Sequence, residues 1–140
     1  MPNVKVHIKT VFQYWHEEAE YAWDVAESLF GSGKYPEALF FGHLALEKLL
    51  KAIIVVGTKE HAPRIHNLVK LSNVAELSIG KEDKELLRRF SDFHIAGRYD
   101  EEKRAFRKKC TKRFTEENIL LMKKMYLWLK KDAEKLFRLK

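Results

Sequence analysis

The chain has 140 residues, 46% hydrophobic and 34% charged, with six Gly and three Pro. This composition excludes a largely disordered chain, and the length predicts a single domain over residues 1–140. The longest apolar runs, such as "AIIVV" at 52–56, are far shorter than the roughly 20 residues of a membrane span. A lone cysteine, Cys110, excludes an internal disulfide and a multi-cysteine zinc site. We therefore expect a cytoplasmic protein, and its few Asn, Gln and Cys residues favour a thermophilic source.

The net charge of +7 is unevenly distributed along the chain. Residues 103–140 carry 14 Lys or Arg against 4 Asp or Glu, whereas the remainder carries 13 against 16. The excess positive charge therefore belongs to the C-terminal third. Such a patch is typical of a phosphate-binding surface, and also of a lysine-rich helix that only keeps a protein soluble.

Two long amphipathic helices are predicted in the first half of the chain. Apolar residues recur at helical spacing in the first, which "GSG" at 31–33 ends: Val11, Trp15, Ala19, Ala22, Ala26 and Leu29. The second begins near Pro36 and ends at Gly57. Because it is apolar around much of its girth, we expect it to be the central helix of a bundle.

The second half predicts a short helix from about His66 to Leu77, a fourth helix over roughly 82–96, and a polar, basic connector over 98–114. Thr115 is expected to be the N-cap of a last long helix. No segment alternates strictly enough for a half-buried strand. The sequence thus predicts an all-α, up-and-down bundle of four main helices and one short helix.

Several motifs in this order resemble the HEPN domain family of prokaryotes. "YAWDVAESLFGSGKYPEALFFGHLALEKLLKAIIVVGTKEHAPRIHNLVKL" contains the glycine-rich turn, the Glu-x-x-x-Lys pair (Glu47, Lys51) and the His-x-Leu-x-x-Leu element that begins at His66. "FHIAGRYDEE" partly matches an Arg-Tyr-Pro-Asp signature through Arg98 and Tyr99, with Asp100 in the proline position. The similarity covers nearly the whole chain.

This resemblance implies a homodimer and a protein partner of the minimal nucleotidyltransferase type, often in a toxin–antitoxin pair. Active members of the family resemble metal-independent ribonucleases, whose motif is an Arg and a His separated by four to six residues. Arg88 and Arg89 both meet this spacing to His94, although Phe90 follows Arg89 where a polar residue is common. The resemblance therefore makes Arg88, Arg89 and His94 candidate catalytic residues.

Metal-independent RNA cleavage needs a base for the 2′-hydroxyl proton and a cation for the phosphate, roles that suit His and Arg. At about 100° per residue, Arg89 and His94 would lie about 140° apart around one helix, so the pair would not converge within one chain. Arg98 would share a face with His94 if the helix continued past Gly97. The alternatives are a composite site at a dimer axis, a spacing that arose by chance, and a His94 that packs at the bundle edge.

The basic stretch "KRAFRKKCTKRF" alternates cations with Phe106 and Phe114, a pattern compatible with nucleotide or RNA binding or with a solvated connector. The candidate ligand-binding residues are Arg98, Tyr99, Lys103, Arg104, Arg107 and Lys108. The pairs His43 with Glu47 and His61 with His66 are a weak indication of a metal site. We expect no metal and no cofactor, and assign His66 to the start of the short helix.

Overall fold

The computed structural model describes residues 7–139, and within that range every regular element is an α-helix. The six helices are α1 (Ile8–Gly31), α2 (Tyr35–Thr58), α3 (Leu68–Val74), α4 (Lys81–Ser91), α5 (Asp100–Lys109) and α6 (Lys112–Leu139). The predicted all-α bundle is confirmed. None of the helices in these residues combines the length and apolar character needed to cross a membrane.

A tight turn reverses the chain between α1 and α2. Gly33 adopts a positive φ of 78°, which favours glycine, and the backbone N–H of Lys34 donates to the carbonyl of Leu29 at 2.8 Å. Pro36 stands in the first turn of α2, where its missing N–H has no cost. The two long helices therefore pack side by side, as the sequence predicts.

Helix α2 is the centre of the bundle and packs against both α1 and α6. Its side chains are buried on most sides, from Ala38 to Val56. Gly42 leaves room for the side chain of Met122 on α6, because a Cβ atom at position 42 would lie 2.7 Å from Cε of Met122. On the same side of the core, Trp23 of α1 stacks on Tyr126 of α6 with ring centroids 5.0 Å apart.

The short central helices are shorter than predicted. Asn67, rather than His66, caps α3, because its side-chain oxygen accepts from the backbone N–H of Lys70. Helix α4 ends at Ser91, not near residue 96. Ser91 Oγ donates to the carbonyl of Leu87 and accepts from the N–H of Leu68, which ties the end of α4 to the start of α3.

The sequence predicts a polar, basic connector with at most a helical turn over 98–114, whereas the structure forms the ten-residue helix α5 there. None of its residues is fully buried, so the apolar periodicity that reveals a helix is missing. Its first turn is acidic and its last turn basic, which suits the helix dipole. The side chain of Glu102 also accepts from the N–H of Tyr99, which precedes the helix.

The expected N-cap at Thr115 is wrong, because α6 begins one turn earlier, at Lys112. Thr111 Oγ1 accepts from the backbone N–H of Phe114 and so caps the helix. Thr115 is instead completely buried inside α6. Both threonines precede a helical pattern, and only the packing of the first turn of α6 distinguishes them.

Candidate functional site

The turn after α4 positions most of the predicted site residues. Backbone N–H groups of Asp92, Phe93 and His94 bond to carbonyls three residues earlier, which tightens the chain as it leaves the helix. Gly97 then adopts a φ of 81° and reverses the direction. The guanidinium of Arg98 folds back and donates to the carbonyls of Asp92 at 2.7 Å and His94 at 3.1 Å.

This turn, α5 and the start of α6 enclose a cavity of about 320 Å³, which we call the basic cleft. It is lined by Arg89, Asp92, Phe93, Arg98, Phe106, Lys109 and Phe114. Three cations and one carboxylate thus border a space whose aromatic side chains are buried (Phe93) or partly buried (Phe106 and Phe114). Lys109 Nζ lies 5.5 Å from the ring centre of Phe114, within the range of a cation–π contact.

The other predicted residues lie outside this cleft lining. Arg88 is exposed and forms an ion pair with Glu85 at 3.0 Å. Tyr99 is 82% exposed ahead of α5. The remaining candidates are on α5 but outside the cleft lining: Lys103, Arg104, Arg107 and Lys108. Of the candidate ligand-binding residues, only Arg98 lines the cleft.

A second polar site lies where α2 meets the loop before α3. Glu47 is only 4% exposed, and its Oε2 accepts from the ammonium of Lys51 at 3.0 Å. His43, one turn earlier on α2, is completely buried, and its Nε2–H donates to the backbone carbonyl of His66 at 2.9 Å. The Glu-x-x-x-Lys pair, with its i, i+4 spacing on α2, is therefore a buried ion pair.

His66 and His94 complete this site, which we call the histidine cluster (His43, Glu47, His66 and His94). Nδ1–H of His66 donates to both carboxylate oxygens of Glu47, at 3.1 and 3.2 Å. The ring of His94 stacks on that of His66 with centroids 4.3 Å apart. His94 also meets the rings of Phe40 and His43 edge-on.

The surroundings of His43 and His94 favour their neutral imidazoles. Burial lowers the pKa of His43 to about 4, although the carbonyl of His66 and the charge of Glu47 oppose this change. Partial burial, and then the positive charge that His66 can carry, lower the pKa of His94 below its ordinary value. His94 is therefore a neutral base near pH 7.

Within one chain, Arg88 and Arg89 do not meet His94, as expected from their spacing, although the reason differs. His94 lies beyond the end of α4, so the helical angles do not apply to it. Among residues 7–139, its hydrogen bonds and ring contacts include neither Arg88 nor Arg89. Arg98 lies next to His94 because the chain turns between them, and not because a continuous helix extends past Gly97.

Glu47 and His66 were missed as partners of His94, because the three residues are far apart in sequence. The family resemblance was the available signal, since it includes both of them. His66 does not hold the start of α3 as assigned; its side chain binds Glu47 instead. Cys110 is buried, and burial raises the pKa of its thiol to about 12 although Lys109 lies next to it.

The model of the HEPN domain matches residues 12–133, which is most of the chain. The chain belongs to the HEPN domain family. Neither the curated proteins nor the solved structures gave a match.

Membership in the HEPN domain family supports a nucleotide- or RNA-related module. The matched range includes every residue of the basic cleft and of the histidine cluster. These two sites lie on either side of the turn that Arg98 stabilises.

Proposed function

We propose that this HEPN domain binds nucleotides or single-stranded RNA at the basic cleft. The observation that carries the proposal is the convergence of Arg89, Arg98 and Lys109 on one cavity with Phe106 and Phe114. Guanidinium and ammonium groups bind phosphate, and an aromatic ring offers a face on which a base can stack.

The geometry of Arg98 supports a role in positioning. Its Nε and one terminal nitrogen already bond to backbone carbonyls. Arg98 therefore lies fixed at the border of the cleft and carries a positive charge there at low entropic cost. Among residues 7–139, the guanidinium of Arg89 donates one side-chain hydrogen bond, to Asn118 Oδ1, and that bond is long at 3.4 Å. The guanidinium is therefore available to a ligand.

Arg89 and Arg88 provide a matched pair of variants to test the proposal. Each substitution removes one charge from the same turn of α4, but only Arg89 lines the cleft. Anisotropy of a labelled single-stranded RNA, measured over a salt series, should show about 5-fold or more weaker binding for Arg89→Ala. The slope of log affinity against log salt should also fall by about 1.

Arg88→Ala should bind RNA nearly as the wild type does. Equal losses in both variants, or affinity that does not depend on salt, would argue against the cleft as the binding site. Circular dichroism of both variants controls for the loss of the Asn118 contact. The same titration with a mononucleotide distinguishes a nucleotide site from a site that needs a strand.

We further propose that the domain forms a homodimer. We also propose that it works with a minimal nucleotidyltransferase partner in a toxin–antitoxin pair, as the family resemblance implies. Exposed apolar side chains on α6 support a protein contact: Leu120, Leu127 and Trp128. Leu120 and Leu127 are seven residues apart and so lie on the same face of α6, which a second copy would cover. Sedimentation of the wild type and of Leu127→Lys tests the dimer.

A second candidate function is metal-independent RNA cleavage, which the histidine cluster favours. His94 is a neutral base that stacks on His66, and Glu47 orients His66. Arg98 donates to the backbone carbonyl of His94 and would stabilise negative charge on a phosphate. In this alternative His94 acts as base or acid, and a dimer would bring Arg88 or Arg89 from the second copy.

A further inference from the structure

Three potential metal ligands of the histidine cluster come from three separate segments. Glu47 belongs to α2, His66 to the loop before α3, and His94 to the turn after α4. Each offers one ligand atom, and these atoms all lie within 4.8 Å of one another. We propose that Glu47, His66 and His94 form a binding site for a divalent transition-metal ion of the Zn²⁺ type.

The carboxylate of Glu47 is already arranged for such an ion. Lys51 binds Oε2 at 3.0 Å, which fixes the carboxylate and leaves Oε1 directed at His66. His66 Nδ1 and Glu47 Oε1 lie 3.1 Å apart. In a tetrahedral site with bonds of roughly 2.1 Å, neighbouring ligand atoms are about 3.4 Å apart, so an ion can replace the shared proton with little movement.

His94 supplies the third ligand after a change of ring orientation. The rings of His66 and His94 stack with only 22° between their planes, so their in-plane lone pairs do not yet meet at one point. The side chain of His66 is 58% exposed, which gives its ring room to turn. The backbone of His66 stays in place meanwhile, because His43 holds its carbonyl.

The donor set selects the class of metal. Two imidazoles and one carboxylate suit Zn²⁺, Co²⁺ or Ni²⁺, whereas Mg²⁺ and Ca²⁺ prefer oxygen ligands. Three protein ligands leave a fourth position for water or an anion. Because none of the three ligands lines the basic cleft, the metal site does not depend on the proposed nucleotide binding.

Titration of the untagged full chain with Co²⁺ tests this site. Tetrahedral Co²⁺ has a visible absorption band, which should appear on binding and disappear when Zn²⁺ displaces it. Isothermal titration should give one Zn²⁺ per chain, and Mg²⁺ should not compete. Absence of the Co²⁺ band together with absence of Zn²⁺ binding would overturn the proposal.

His66→Ala and His61→Ala form the matched pair for this experiment. Both histidines are exposed in the loop between α2 and α3, so neither change should unfold the protein. Loss of an outer-shell group already costs a metal site roughly 10–100-fold in affinity, so loss of the ligand His66 should cost about 10-fold or more. His61→Ala should bind as the wild type does. Wild-type affinity in His66→Ala would also overturn the proposal.

Discussion

The ring of His94 stacks on the ring of His66, with the centroids 4.3 Å apart, at a point where two segments remote in sequence meet. Glu47 accepts a hydrogen bond from His66 on the other side. A carboxylate and two imidazoles thus lie close together, and Arg98 donates to the backbone carbonyl of His94. This cluster is the basis for both the cleavage hypothesis and the metal hypothesis. The two exclude each other at a given moment, because a metal-coordinated nitrogen cannot accept a proton.

If this HEPN domain cleaves RNA, the activity should depend on His94 and should persist in EDTA. General acid–base catalysis contributes about 10²–10⁴-fold, so His94→Ala should reduce the rate by at least about 100-fold. His66→Ala should also reduce it, because His94 loses its stacking partner. The measurement is cleavage of labelled single-stranded RNA, with His61→Ala as the control. Unchanged cleavage by His94→Ala would exclude the histidine cluster as the catalytic site.

The stability of the protein should fall between about pH 6.5 and pH 4 because of His43. Its pKa is about 4 in the folded protein and 6.5 ordinarily, so the unfolded chain takes up the proton first as the pH falls. The resulting loss of unfolding free energy is on the order of 3 kcal/mol, complete near pH 4 and absent above pH 6.5. Urea unfolding at a series of pH values, in EDTA, measures it.

His43→Gln is the control for this pH dependence, since an amide can still donate to the carbonyl of His66 but does not titrate in this range. Other titrating groups contribute to both proteins and cancel in the comparison. The variant should therefore lose less stability than the wild type on acidification. Parallel pH profiles for the two proteins would show that His43 is not buried as a neutral base.

Gly42 should not tolerate a large side chain. A Cβ atom alone would lie 2.7 Å from Cε of Met122, so Gly42→Leu overpacks the contact between α2 and α6. We expect a loss of about 1–3 kcal/mol in unfolding free energy. Gly57→Ala, in open space near the end of the same helix, should instead be neutral or stabilise by up to about 1 kcal/mol. Chemical denaturation measures both, and similar results for the two variants would contradict the close packing.

Cys110 should be unreactive in the folded protein. Its thiol is buried and its pKa is raised to about 12, so the reactive thiolate is scarce at neutral pH. In buffer, Ellman's reagent should label only a fraction of the Cys110 thiols over minutes. In denaturant it should label one thiol per chain. Rapid labelling without denaturant would mean that the junction of α5 and α6 opens readily.

The amino-acid sequence by itself determined the helical class, the long helices and their approximate order. These features depend on local periodicity and on turn residues such as Gly33, which act through neighbouring parts of the chain. It also placed Glu47, Lys51 and His66 among the family's motifs. It failed for α5, where charge and capping rather than apolar periodicity support the helix.

Only the tertiary structure decided which of these residues meet. The contact of His94 with His66 and the contact of His66 with Glu47 join three segments, and no local pattern in the sequence encodes such distances. The early end of α4 removed His94 from the helix and placed it against the core helix α2. Burial then set the proton affinity of His43 and Cys110, because the cost of a buried charge depends on the packed surroundings and not on sequence neighbours.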